Sequence, residues 1–253
     1  MKIAVHILFF NQTKWILKAL SNCGPFVDKI YIAWSKNPWS YGKNSKNFKN
    51  NSDLEILKKS EFYHKIETIT GEWKLDEEER NECLKRAKND NMDYLITQDA
   101  DEFYTFDGYK KLIESIKNNP DYDYYTTPWI CFWKDFKHVL VAEDNNIING
   151  YPEIAINLRK NIKFIRCRRP NSTNHKRLDS ICYHMCFVFD KDEDEDCWDK
   201  INTWGHSNEF NIDKWYKEKW IKWKPSTENL HPTNPKAWAK AIEYTGILPE
   251  VLL

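Results

Sequence analysis

Two aspartates one residue apart, Asp99 and Asp101, close the segment Tyr94-Leu95-Ile96-Thr97-Gln98-Asp99-Ala100-Asp101-Glu102. Side chains alternate along an extended chain, so this spacing predicts that both carboxylates point the same way where the apolar strand ends. Two hard oxygen donors so placed suit a divalent cation, and a cation at the mouth of a strand suits a substrate that carries phosphate. Spacing alone is not enough, because with 19 aspartates the pattern Asp-x-Asp occurs five times, at 99/101, 121/123, 190/192, 192/194 and 194/196. Only the first pair follows a run of the buried parallel type, and ligands of open α/β sheets bind beyond the carboxyl ends of the strands. The pair at 121/123 precedes its apolar segment and reads as a turn. The run from 190 to 196 resembles a calcium loop, but its sixth position is Glu195 rather than Gly and its twelfth is Ile201 rather than Glu. It reads as a solvated acidic stretch at a helix entrance.

The elements that must position this pair follow from periodicity. Strands are expected at Ile3 to Phe10, Lys29 to Trp34, Lys65 to Thr70 and just before Asp99. Helices are expected at Thr13 to Asn22, with Trp15, Ile16, Ala19 and Leu20 at helical spacing and Gly24 closing it, at Asp76 to Asn89, and at Asp107 to Asn118, with Tyr109, Leu112, Ile113 and Ile116 on one face. Asp76 followed by Glu79 has the reciprocal capping pattern. Residues 36 to 53, rich in Asn, Ser and Lys, read as a long surface loop. Strand and helix in this rhythm argue an α/β fold with a mostly parallel sheet. Beyond residue 120 the chain turns to aromatic strands at Tyr124 to Trp133, Glu153 to Leu158 and Ile181 to Phe189. Short helices follow at Trp198 to Trp204, Asp213 to Trp220 and Pro235 to Tyr244, the last capped by Asn234.

A chain of 253 residues holds one substantial core, so a single domain over 1–253 is expected, with 1–120 as the ligand-binding half and 121–253 supplying walls and a second substrate site. A net charge of zero leaves no electrostatic footprint for a nucleic acid polymer. Seven scattered cysteines do not form the framework of a small secreted domain, which points to a reducing, cytoplasmic setting. No stretch approaches the roughly 18 apolar residues of a membrane span, so a soluble protein is expected.

The segment Gly71-Glu72-Trp73 leading to Glu79-Arg80-Asn81, followed by Gln98-Asp99-Ala100-Asp101-Glu102, resembles the GT-A glycosyltransferases of the family 2 type. In these a helix bearing Arg-Asn precedes a strand ending in Asp-x-Asp. Tyr183-His184-Met185, Lys200-Ile201 and Trp204-Gly205-His206 extend the likeness downstream. The resemblance implies a GT-A type nucleotide-binding sheet flanked by helices, with an aromatic-rich C-terminal acceptor region. It implies transfer of a sugar from a nucleotide diphosphate, a UDP-sugar favoured, to a glycan or glycoconjugate, with Mn²⁺ or Mg²⁺ between the aspartates and the diphosphate. A cation there stabilises the charge gained by the leaving group, and water must be kept out for transfer to prevail over hydrolysis.

On that resemblance Asp101 is the principal metal ligand, Asp99 shares the metal or faces the ribose, and His184 is the third ligand, with His206 and His231 as alternatives. Gln98 belongs to the same donor-binding segment, and Glu102 either orients a group in contact with the metal or faces solvent. Phe10, Asn11 and Ser35 sit where base and ribose belong, and Arg80 and Asn81 face the pocket from the first turns of their helix. Cys182, His184 and Cys186 alternate on one strand and invite a zinc reading, but three ligands at i, i+2 and i+4 on a flat strand do not converge on one tetrahedral ion. If the enzyme inverts configuration, a carboxylate must take the acceptor proton. Glu153 is favoured over Glu143, Asp144 and Asp192. Of the twelve tryptophans, Trp129, Trp133, Trp204, Trp215, Trp220, Trp223 and Trp238 crowd the second half; most belong to the core, with one or two left for an acceptor sugar. The competing readings are a sugar-nucleotide-forming nucleotidyltransferase, against which stands the absence of a Gly-rich loop after the first strand, and a carbohydrate-binding protein without catalysis.

Overall fold

The computed structural model describes residues 1–40, 42, 44–189, 194–204 and 206–253. Its first sheet grows from the apolar run β1 (Ile3–Leu8), all six residues of which are buried. Next to it lie β2 (Lys29–Ser35), β3 (Ile66–Gly71) and β4 (Tyr94–Thr97). β1 pairs in parallel with β2 on one side and β4 on the other, and β3 extends the sheet in parallel beyond β2. Strands buried on both faces need helices on both faces, and α1 (Thr13–Cys23) and α2 (Asp76–Asn89) provide them. α1 packs Trp15, Ile16, Ala19 and Leu20 inward as the periodicity predicts. At Gly24 the helix passes into a 3-10 turn through Phe26, and a Cβ on Gly24 would lie 2.3 Å from the Phe62 ring.

After β4 the chain turns through Asp99 to Asp101 into β5 (Glu102–Phe103), which belongs to a second sheet. α3 (Phe106–Asn118) follows, capped by the Thr105 hydroxyl, which accepts from Gly108 N at 3.0 Å. The aromatic run expected at 124 to 133 is two strands in two sheets. β6 (Tyr124–Thr126) joins the first sheet and β7 (Trp129–Lys134) the second. Pro128, which has no N–H for a ladder, falls at the break.

The remaining strands are β8 (His138–Val141), β9 (Glu153–Asn157), β10 (Phe164–Arg166), β11 (Arg169–Pro170), β12 (His175–Arg177), β13 (Cys182–Val188) and β14 (Lys240–Glu243). The first sheet runs β12-β6-β9-β4-β1-β2-β3, with four parallel and two antiparallel pairings. The second runs β14-β8-β7-β13-β5, and β10 and β11 form a separate hairpin. The mixed α/β architecture with a mostly parallel sheet and an aromatic-rich second half is therefore as expected. α4 (Asp194–Thr203) and α5 (Ile212–Trp215), which runs on as a wider turn over Tyr216–Ile221, match two of the three short helices.

Two expectations are corrected. No helix covers 235 to 244: the chain makes one turn after Asn234 and then forms β14, because Lys240–Glu243 finds an antiparallel partner in β8. At the start of α2, Glu78 rather than Glu79 takes the amides of Lys74 and Leu75, while Glu79 turns inward to accept from the Trp39 indole at 2.8 Å. The acidic run at 190 to 193, and Asp192 with it, lies outside the described residues. Trp133, Phe187, Trp215, Trp220 and Trp238 pack edge-on or tilted in one aromatic cluster behind the second sheet. No helix among the described residues is long and apolar enough to cross a membrane. All seven cysteines are free.

Candidate functional site

From β1 the chain goes outward through β2 to β3, then returns to place β4 on the opposite side of β1. That reversal is the topological switch point, and the crevice beyond the carboxyl ends of β1 and β4 is where a sheet of this kind holds a ligand. Phe10 and Asn11 follow β1 and Asp99 to Asp101 follow β4, so the sheet brings them to one end. Ser35 ends β2 at the same edge. The antiparallel register of β9 on β4, Ile96 opposite Ala155, puts Glu153 at that end too.

The two aspartates have different partners. The strand stops at Thr97 and Asp99 to Asp101 form a turn closed by Glu102 N donating to Asp99 O at 3.0 Å, so strand alternation no longer applies. Asp99 faces two arginines, with Arg80 Nη2 at 3.1 Å and Arg168 Nη2 at 2.6 Å. Asp101 faces Lys200 Nζ at 2.7 Å and His184 Nε2 at 3.5 Å. Burial alone would raise both carboxyls. Arg168 and Arg80 overcome it at Asp99, and Lys200 and His184 at Asp101, so both are held well below the usual carboxylate range. His184, which burial would lower, is pushed up to about 10 by Cys186 and Asp101.

Glu102 does not face solvent. It is fully buried in β5, accepts from Arg168 Nη2 at 2.6 Å and receives the Asp99 amide at 3.0 Å. Arg168 thus ties Glu102 to Asp99 with one nitrogen. Arg80, 2 % exposed, reaches Asp99 from α2 and lies 3.5 Å from Asp76. Arg80 Nε and Nη1 and Arg168 Nη1 are buried and have no hydrogen-bond acceptor among the described residues. Unmatched donors of this kind await a polar ligand or water.

Several predicted residues hold the frame of the crevice. Gln98 is fully buried, donating to Glu102 O at 2.8 Å and accepting from Tyr109 Oη at 3.1 Å. Asn81 brackets Phe164, with its amide donating to the carbonyl and its oxygen accepting from the N–H, each at 2.9 Å. Asn11, at φ 51°, ties the end of β1 to the 36 to 53 loop through Lys49 O and the Asn51 amide. Ser35 donates to Asn37 O at 2.7 Å. His206 pairs with Glu209 through Nδ1, and His231 Nδ1 accepts from the Thr233 and Asn234 amides.

Three residues that sequence reasoning passed over complete the arrangement. Lys200 stood inside the quoted Lys200-Ile201 pair without a role. Arg168 lies in the basic run Arg166 to Arg169, a signal of charge but not of position. Asn50 donates to Phe9 O at 2.7 Å and Ser35 O at 2.9 Å, bridging the ends of β1 and β2; nothing in its polar loop distinguishes it.

A divalent ion fits part of this set. Two neighbouring ligands at about 2.1 Å from an octahedral ion lie about 3 Å apart, so Asp101 Oδ1 and His184 Nε2 need only a small rotation from 3.5 Å. Asp99 is instead paired with its two arginines.

The crevice thus combines an acidic turn at a switch point with the cationic side chains of Arg80, Arg168 and Lys200. Residues 47–168, just under half of the chain, match the family model described as glycosyl transferase family 2. Among solved structures the chain is similar to residues 1–349 of S. aureus TarS, with 13% identity over 79% of this chain and 63% of that one and a TM-score of 0.48. The chain thus spans under two thirds of that TarS fragment. It is also similar to a 4-diphosphocytidyl-2C-methyl-D-erythritol synthase from Anaerococcus prevotii, with 13% identity, 71% and 87% coverage and a TM-score of 0.40. A putative nucleotide-diphospho-sugar transferase from Desulfovibrio desulfuricans gives 11% identity, 73% and 83% coverage and a TM-score of 0.39. No curated protein sequence matches significantly.

Proposed function

We propose that the chain is a metal-dependent glycosyltransferase that moves a sugar from a nucleotide diphosphate donor, a UDP-sugar favoured, to a glycan or glycoconjugate acceptor. The observation that carries this is the buried cationic ring around Asp99 and Asp101 at the switch point, with guanidinium N–H groups that lack acceptors. The family match over 47–168 contains this turn and both arginines.

In this reading Asp101 and His184 hold Mn²⁺ or Mg²⁺. When bound, the ion supplies positive charge opposite the leaving diphosphate. Lys200, 2.7 Å from Asp101, adds fixed positive charge at the same place. Arg80 and Arg168 hold Asp99 toward the donor and offer their remaining N–H groups to its oxygens. A cavity of about 320 Å³ lined by Asn37, Pro38, Ser40 and Lys49 opens beside the end of β2 and accommodates the nucleoside. Phe10, Asn11 and Ser35 shape that approach. Trp129 stacks on His184 at 4.2 Å between ring centres and carries Arg168 over its ring, which ties the aromatic second sheet to the acidic turn. Glu153 takes the acceptor proton if configuration is inverted.

Calorimetric titration with UDP, GDP and their sugars, in Mn²⁺ and in EDTA, tests the reading. One nucleotide should bind only with metal, and Asp101→Ala should lower transfer by about two to three orders of magnitude, the scale of removing one charge-stabilising group. Full activity in Asp101→Ala would reject it, as would indifference to every nucleotide tried.

A further inference from the structure

Behind the Asp101–His184 pair, β7 and β13 run in parallel with His184 directly opposite Cys131, and the register slips between His184 and Phe187. Cys131 Sγ, an imidazole nitrogen of His184 and Cys186 Sγ all lie within 4.8 Å of one another. Cys131 Sγ is 3.7 Å from His184 Nδ1. We infer that Cys131, His184 Nδ1 and Cys186 form a binding site for one thiophilic divalent ion of the Zn²⁺ class.

The geometry carries it. In a tetrahedral zinc site, with Zn–S about 2.3 Å and Zn–N about 2.0 to 2.1 Å, a sulfur and a nitrogen ligand stand about 3.6 Å apart, close to the 3.7 Å found here. The objection to three ligands on one flat strand still holds for Cys182, but Cys131 comes from the neighbouring strand and closes the triangle. The other imidazole nitrogen, Nε2, is 3.5 Å from Asp101 Oδ1, the carboxylate partner that metal-bound histidines commonly use to fix their tautomer. Trp129 stacks on the ring at an interplanar angle of 5°, which restrains its orientation.

Both cysteines are buried, at 2 % and 4 % exposure, so a charged complex would be costly; two thiolates cancel a divalent ion. On binding, every proton carried by Cys131 Sγ, Cys186 Sγ and His184 Nδ1 leaves to solvent, so that Nδ1 gives its lone pair while Nε2 keeps its hydrogen toward Asp101. Two thiolates and an imidazole select Zn²⁺, Cd²⁺ or Co²⁺ over Mg²⁺ and Mn²⁺. Three protein donors leave a fourth position for water or a small anion. A further consequence rests on the glycosyltransferase reading: His184 cannot serve this ion through Nδ1 and also hold the hard ion through Nε2, so Zn²⁺ would antagonise Mn²⁺-dependent transfer.

The test needs no nucleotide, so its outcome is separate from that reading. The reduced, metal-free full chain is titrated with Co²⁺. A thiolate-to-cobalt charge-transfer band and tetrahedral visible absorption should appear with one equivalent and vanish when Zn²⁺ is added. Cys131→Ser and Cys186→Ser should each lose the charge-transfer band or halve it, the exposed Cys167→Ser should not, and Asp101→Asn should weaken Zn²⁺ binding roughly 10- to 100-fold. A wild-type chain without the band, or a Cys186→Ser chain that keeps it undiminished, overturns the site. Should the serine variants not fold, alkylation of the wild-type chain with and without Zn²⁺, read by mass spectrometry, decides. Protection of Cys131 and Cys186 by Zn²⁺ supports the site, and unchanged labelling of both overturns it.

Discussion

Glu79 shows what one buried carboxyl costs this molecule. It is 4 % exposed on the inner face of α2, and burial raises it to about 7 against the lowering effects of the Trp39 hydrogen bond and Arg80. A carboxyl raised on folding holds its proton more tightly in the native state. Its penalty is absent below the unfolded pKa and complete once the pH has risen through the folded one. Glu79→Gln keeps an oxygen acceptor for the Trp39 N–H without the charge. Thermal unfolding should find the variant near wild type at about pH 5 and more stable at about pH 8, by up to roughly 3 kcal/mol for a shift of this size. Equal differences at both pH values would show that Glu79 does not titrate in this range. At this scale the sequence located the acidic turn but not the partners of its two carboxylates. Alternation is a property of extended backbone, and the chain turns between Asp99 and Glu102. The cations that divide the two aspartates between them, Arg168 and Lys200, lie 69 and 99 residues away from Asp99 and Asp101, where no local pattern reaches.

The hairpin of β10 and β11 carries Arg168 into the site from outside both sheets. Its anchor to α2 is Asn81, whose amide imitates a strand neighbour for Phe164. Asn81→Ala removes both bonds and leaves a buried carbonyl and N–H without partners, at a cost of about 2 kcal/mol. Urea denaturation should show a lower midpoint at unchanged slope, and hydrogen exchange at the Phe164 amide should accelerate; unchanged exchange there would remove Asn81 from this role. Most elements of the first half were legible, because their periodicities are local and their helices amphipathic. The segment 235 to 244 misled because its residues suit a helix in isolation, and the open edge of β8 outweighed that preference.

At the scale of the whole molecule, the Asp99 to Asp101 turn is the hinge between two sheets. β5 leaves it to pair with β13, and Met185 N donates to Asp101 O at 2.8 Å, so the acidic turn is stitched into the second sheet by its own backbone. The loop from 36 to 53 is fastened to α4 through Asn44 and Asn202 at 2.7 Å. Such interleaving predicts one cooperative unfolding transition. Tryptophan fluorescence, which reports chiefly on the second half where most tryptophans lie, should coincide with far-ultraviolet circular dichroism across a denaturant series. Separated midpoints would mean that the halves unfold independently.

The sequence by itself determined the alternation of strand and helix, the place of the acidic turn after a buried strand, the aromatic character of the second half and a net charge of zero. Each of these is written in neighbouring residues, as periodicity, composition or spacing. Only the tertiary structure decided that Asp99 belongs to two arginines and Asp101 to Lys200 and His184. It also joined Gln98 to Tyr109 and Asn81 to Phe164 and set Cys131 beside His184. Those choices depend on strand order, register and a proline-marked change of sheet, which are set by contacts between distant segments competing for the same interior.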